Sequence, residues 1–348
     1  MTLKSVPAAN RKDAHIDLAL DLMTNTDSSN SFDRMDFVHC ALPEVNLASI
    51  DLSTEFLGRH LSAPMIIGAM TGGTPRAEAI NQALAMVAQD KKIAFAVGSQ
   101  RAAIENKQTA ANLRNLAPNI PIISNLGGIQ LARSNGLDFA KEAIEDLQAD
   151  AIAIHLNPLQ EAIQPEGECD WRGVRKAIAA LVRADLAPVI VKEVGAGISA
   201  GIAKDLFDCG VAAVDIAGFG GTNWARIEAN RQVGDIATFE PFLDWGMPTV
   251  ECLINACNAC PNNLIIASGG VRHGLDAMRA YRLGADIVSL AGPMLKQLLI
   301  SDKKPSVKRL GAFVDQLKQQ MNLTLFLTGA PNLCVFREKA ALIDNTPL

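Results

Sequence analysis

Eight short apolar runs recur along this chain, at residues 64–70, 93–98, 121–127, 151–157, 188–195, 213–220, 263–270 and 286–292. Most are unbroken Val, Ile and Ala bounded by Gly or Pro, the pattern of strands buried on both faces. Between them, stretches 77–89, 138–147, 171–184, 199–208 and 274–283 have helix-forming composition with spaced apolar positions. Ser199 and Asp138 are placed to cap their helices, and Pro118 and Pro188 follow helix ends. Eight strand–helix units predict an α/β protein, a closed (β/α)8 TIM barrel. An open doubly wound sheet is the alternative, and it rarely runs to eight units of this regularity.

The 348 residues read as one domain. Residues 1–60 form an N-terminal extension covering the barrel mouth, 64–300 the barrel, and 301–348 a helical tail that closes it. Residues 221–245, the longest interruption, are expected to form a lid or site-covering loop. With 49% apolar and 20% charged residues a sizeable core is expected. A net charge of −5 argues against a general nucleic-acid-binding surface, so any anion site must be local. No apolar run approaches the roughly 20 residues that span a bilayer, and the first residues lack a charged-then-apolar leader. Seven cysteines, an odd number in a long chain, suit a reducing cytoplasm. Cys252, Cys257 and Cys260 have a spacing that can hold an iron–sulfur cluster, but no fourth cysteine follows closely. They read as small core residues.

In such a barrel the residues just past each strand form the active face. The fourth run ends in His155, Asn157, Gln160 and Glu161 around Pro158, which cannot continue a ladder. The first ends in Ala69-Met70-Thr71-Gly72-Gly73, the second in Gly98-Ser99-Gln100-Arg101, the third in Ser124-Asn125 and the fifth in Lys192-Glu193. The sixth ends in Gly220-Gly221-Thr222-Asn223-Trp224, the seventh in Ser268-Gly269-Gly270 and the eighth in Ala291-Gly292. Glycines after strands seven and eight, each leading into a helix, are the usual phosphate cradle of this fold. Lys192, beside an apolar run, is a cation placed to meet an electron-rich ring. One phosphate, a flat ring and a nearby lysine are most consistent with FMN. Arg101, with Arg11 and Lys12 if the N-terminal segment folds over the mouth, suggests a second anion site. Glu161 beside those cations implies Mg²⁺ bridging a diphosphate.

Together with Arg11-Lys12-x-x-His15, these motifs resemble type 2 isopentenyl-diphosphate delta-isomerases, in order along nearly the whole chain. The resemblance implies an isomerase that interconverts isopentenyl and dimethylallyl diphosphate with reduced FMN, NADPH as reductant and Mg²⁺. It also implies a homo-oligomer, a tetramer or octamer, with no nucleic-acid or membrane partner. Implied FMN contacts are Ala69, Met70, Thr71, Ser99, Asn125, Lys192, Thr222, Ser268, Gly269, Gly270, Ala291 and Gly292. Implied substrate contacts are Arg11, Lys12, Ser99, Gln100, Arg101, His155, Asn157 and Gln160, the last three also catalytic, with Glu161 on the metal. An FMN-dependent 2-hydroxy-acid oxidase needs a histidine after strand six, where residues 219–224 have none. A non-catalytic flavin- or phosphate-binding barrel would not need Gln160 and Glu161.

Overall fold

The apolar runs become strands, and the strands close on themselves. The computed structural model describes residues 8–25, 30–107, 112–231, 237–299 and 304–345. Its barrel strands are β1 (Met65–Ile67), β2 (Ala94–Ala96), β3 (Ile122–Gly127) and β4 (Ala151–Leu156). They continue as β5 (Val189–Glu193), β6 (Ala213–Asp215), β7 (Leu264–Ala267) and β8 (Ile287–Leu290). Each pairs in parallel with its sequence neighbours, and β8 returns to β1 with Val288 opposite Met65 and Leu290 opposite Ile67. The fold is therefore the closed (β/α)8 barrel, and the open sheet is excluded.

Side chains alternate along each strand. Met65, Ile67, Phe95, Ile152, Ile154, Val189, Val191 and Val214 face outward into the main core beneath the helices. Ile66, Ala94, Ile123, Ala151, Ala153, Ile190, Ala213, Ile266 and Ile287 face the lumen. Several lumen positions are alanine, too small to fill a barrel alone. The remaining space is taken by Phe56 and Leu61, buried in the same cluster. They belong to a two-stranded antiparallel hairpin, Thr54–Phe56 with Arg59–Leu61. Arg59 Nε donates to Asp150 at 2.8 Å, just before β4 begins, which ties the hairpin to the amino-terminal ends of the strands.

The reading of residues 1–60 as one cover over the mouth therefore needs correction. Helix Ala8–Asn25 lies on the carboxyl-end side, where Asp13 accepts from Thr74 (2.9 Å) and Asp17 from Arg76 (2.8 Å). The hairpin plugs the opposite end. The tail is also not all helix: after Val307–Leu327 and Leu333–Lys339 comes strand Leu342–Asp344, antiparallel to Met35–Phe37.

Ser199 caps helix Ala200–Asp208, its hydroxyl accepting from Ile202 N–H. Asp138 instead lies in the first turn of Gly136–Leu147, behind Asn135, where its charge complements the helix dipole. The insertion expected as a loop carries helix Trp224–Arg231 and a short 3-10 turn, Glu240–Phe242. All seven cysteines are free. Burial pushes the Cys252 thiol up to about 11 and Cys257 to about 12, so both behave as core groups. Among the described residues no helix is long and apolar enough to cross a membrane.

Phe56→Ala should remove the plug's largest side chain and cost about 3–5 kcal/mol in guanidinium unfolding. An unchanged midpoint would show that the hairpin does not support the barrel floor.

Candidate active site

Two residues beyond the lumen layer, the same alternation delivers a polar ring. Ile123 leads to Asn125, Ala153 to His155, Ile190 to Lys192, Ala213 to Asp215, Ile266 to Ser268 and Ile287 to Ser289. All six polar residues line one cavity of about 1430 Å³ at the carboxyl ends of the strands.

One side of that cavity is built from glycine. Gly269 has φ +88°, and a Cβ there would fall 2.0 Å from Gly218 O; a Cβ on Gly221 would fall 2.8 Å from Gly270 N. Only glycine lets these two turns pack against each other and keep their backbone toward the cavity. Helix Gly292–Leu299 begins at the same wall. Below it, Lys192 lies opposite Asp215 in the β5–β6 register. Asp215 is buried and accepts from Ser268 Oγ at 2.5 Å. Burial pushes its pKa up, against the pull of Lys192 and that hydrogen bond. Glycine backbone and a helix start for a phosphate, and a fixed lysine beside a slot for a flat ring, fit FMN by the chemistry of the donors present.

The other side is a chain of polar side chains at the rim. Asn157 Nδ2 donates to Gln160 Oε1 (3.2 Å) and to Glu161 Oε1 (2.9 Å). Gln160 Nε2 donates to Glu228 Oε1 at 2.9 Å, and His15 Nε2 lies 3.0 Å from the same oxygen. Burial raises the Glu228 pKa, but the close approach of His15, the hydrogen bond from Gln160 and the charge of Arg231 outweigh it, leaving the pKa lowered and the group a carboxylate. Glu161 Oε2 accepts the Glu168 backbone N–H at 2.8 Å. Both Glu161 oxygens thus keep lone pairs, and the residue lines the cavity, which suits a single-carboxylate Mg²⁺ site completed by phosphate and water. His155 Nδ1 lies 2.7 Å from Asn125 Oδ1, which can only accept, so Nδ1 carries the proton. Loss of solvation, then Lys192 and Lys12, lower the His155 pKa to about 3, so the ring is neutral.

All twelve residues expected around FMN line this cavity, as do Lys12, Ser99, Arg101, His155, Asn157, Gln160 and Glu161. Gln100 does not. It is buried, its amide donating to Ala143 O (3.2 Å) and accepting from Asn125 N–H (3.1 Å), so the expectation of a substrate contact there is corrected. The Arg11 side chain lies outside the described residues. Sequence reasoning missed Asp215 and Ser289 in the polar ring and Glu228 behind Gln160. It also missed Asn30, whose amide donates to Gly270 O at 2.6 Å.

The model of the FMN-dependent dehydrogenase family matches residues 15–122 and 148–341, and the chain belongs to that family. An isopentenyl-diphosphate delta-isomerase of Xanthobacter autotrophicus is 49% identical over 337 residues, covering 95% of this chain and 96% of the relative. That of Stutzerimonas stutzeri is 45% identical over 338 residues, with 95% and 96% covered. Within the class, the chain groups with these isomerases. A mandelate oxidase structure is similar in fold, with a TM-score of 0.66 at 16% identity over 99% of this chain and 100% of that one.

The His155 shift has a signed consequence. The unfolded chain takes up a proton near pH 6.5 and the folded ring does not, so acid favours the unfolded state. Stability tied to His155 is complete above 6.5 and falls as pH drops toward 3. Between pH 7 and 5.5 the native protein should lose up to about 1 kcal/mol more than His155→Gln. Parallel pH dependence of the two in urea unfolding would refute the neutral ring.

Proposed function

We propose that the chain interconverts isopentenyl and dimethylallyl diphosphate by a 1,3-allylic proton shift, with FMN in its reduced form, NADPH as reductant and Mg²⁺ on the diphosphate. The observation that carries this reading is the joining of two sites in one cavity. A glycine-and-lysine cradle lies on one side, and Arg101, Lys12 and Glu161 lie at the rim, with the neutral amide of Gln160 between them. An oxidase of 2-hydroxy acids needs a histidine base past β6, and residues 219–224 supply none.

Arg101 and Lys12 would grip phosphate oxygens, and Glu161 would hold the Mg²⁺, which would offset the charge of the diphosphate. For His155 to donate from Nε2 to a phosphate oxygen its ring must take a proton, so the diphosphate charge would have to offset both its lost solvation and its cationic neighbours. Asn157 fixes the angle between Gln160 and Glu161, because its one amide nitrogen holds both. Gln160 is held on its other side by Glu228 and so orients the C5 chain rather than protonating it. Met70, Phe219 and Trp224 line the cavity and keep water from a centre with tertiary-cation character. When bound, reduced FMN supplies an electron-rich face and an acid/base nitrogen, and Lys192 favours the anionic ring. A cytoplasmic homo-oligomer, tetramer or octamer, is part of the same proposal; sedimentation velocity of the purified chain tests it.

Anaerobic protein with FMN, NADPH and Mg²⁺ should convert isopentenyl diphosphate, and oxidised protein should be nearly silent. Equal rates in both redox states would defeat the flavin role. Glu161→Gln should raise the Mg²⁺ concentration needed for half-maximal rate at least about tenfold, by loss of a charged ligand. A superimposable Mg²⁺ titration would remove Glu161 from the metal.

A further inference from the structure

At the rim, two arginines share two carboxylates. Arg101 Nη1 lies 3.0 Å from Glu168 Oε1, and its Nε 3.2 Å from Glu105 Oε1. Arg133 Nη1 lies 3.2 Å from that same Glu105 oxygen, and its Nη2 2.6 Å from the same Glu168 oxygen. Arg101 and Glu105 line the cavity, and Arg133 stands behind them. Arg101 therefore has neither carboxylate to itself: Glu105 and Glu168 are both also held by Arg133, and the one oxygen Arg101 does not share is Glu105 Oε2, 3.4 Å from its Nε.

We propose that Arg133 is a positioning residue for the diphosphate. It keeps Glu105 and Glu168 neutralised, so that Arg101 can turn to an incoming anion without leaving two carboxylates uncompensated at the mouth. The inference rests on the diphosphate reading of this site. As found, the four charges cancel. Without Arg133 they sum to −1, a net negative charge added to the rim that faces a polyanion. Arg101 would also be the only described partner left to both acids in this cluster, so drawing it away would be harder. The effect falls on anion binding and not on the proton shift, because none of the four groups touches the lumen ring. It does not depend on stability either, since the side chains are each roughly a third exposed and such pairs contribute little to folding.

Affinity for inorganic pyrophosphate with Mg²⁺, and KM and kcat for isopentenyl diphosphate, are to be measured on the FMN-loaded enzyme. The comparison covers the native chain, Arg133→Ala, Arg133→Lys and Arg133→Ala combined with Glu105→Gln. Arg133→Ala should weaken pyrophosphate binding and raise KM about three- to tenfold at low salt, with kcat within about twofold and FMN affinity unchanged. The loss should shrink at about 0.5 M salt. Arg133→Lys and the Glu105→Gln background should each restore most of the affinity, a rescue that general damage to the fold would not show. Native-like pyrophosphate affinity in Arg133→Ala, or a loss that Glu105→Gln does not repair, overturns the proposal. Failure of the isomerase reading is separate, since it appears as absent turnover in the native chain while the pyrophosphate comparison still decides the role of Arg133.

Discussion

The ladder between β8 and β1 is the constraint on which the remaining structure depends. With Val288 hydrogen-bonded beside Met65, the sheet has no edge and its strands cannot slip without breaking the ring. Every strand then ends on the same rim, and the alternation of side chains is phased around the whole barrel. One layer of alanine and isoleucine seals the lumen. The next layer is polar, because the residue two places on has the same orientation and no apolar neighbour above it. The site is thus a property of barrel closure, and the loops that follow only complete it.

That logic explains what could be read from the sequence. Unbroken Val, Ile and Ala runs revealed the strands because strands covered on both faces need no polar alternation. His155 and Lys192 were legible as polar ends of apolar runs. Asp215 and Ser289 lie two residues on from Ala213 and Ile287, inside their apolar runs and not at the ends, so only the phase of the strand, and no terminal polar cluster, marks them. Gln100 misled because a polar residue in a rim motif is expected to face the ligand; the short helix beginning at Arg101 turns its amide toward Ala143 and Asn125. Asn30 and the hairpin plug had no local signature. Asn30 meets Gly270 across 240 residues of chain, and Phe56 matters only because the lumen side chains above it are small and leave space to fill.

Electrostatically the cavity has two regimes. Near its floor, the buried Asp215 lies across from Lys192 where solvation is lost, and its charged form is favoured by Lys192 and by the Ser268 hydrogen bond against the cost of burial. At the rim the acids are spent on donors: Glu228 on Gln160 and Arg231, Glu161 on Asn157 and a backbone N–H, Glu105 and Glu168 on arginines. His155 lies between the regimes and is uncharged because burial strips its solvation, with the charges of Lys192 and Lys12 adding to the effect. A chain with net negative charge can in this way present a mouth that does not repel an anion.

The pairing of Leu342–Asp344 with Met35–Phe37 bears on how the molecule is made. The segment beginning at Met35 lies only a few residues after Asn30, whose amide braces the glycine turn at Gly270. A ribosome has delivered nearly all of the barrel before it releases the strand that clamps this segment in place. The cavity wall beside Gly270 therefore acquires its final brace late in synthesis, after the eight strands that carry the wall have already emerged.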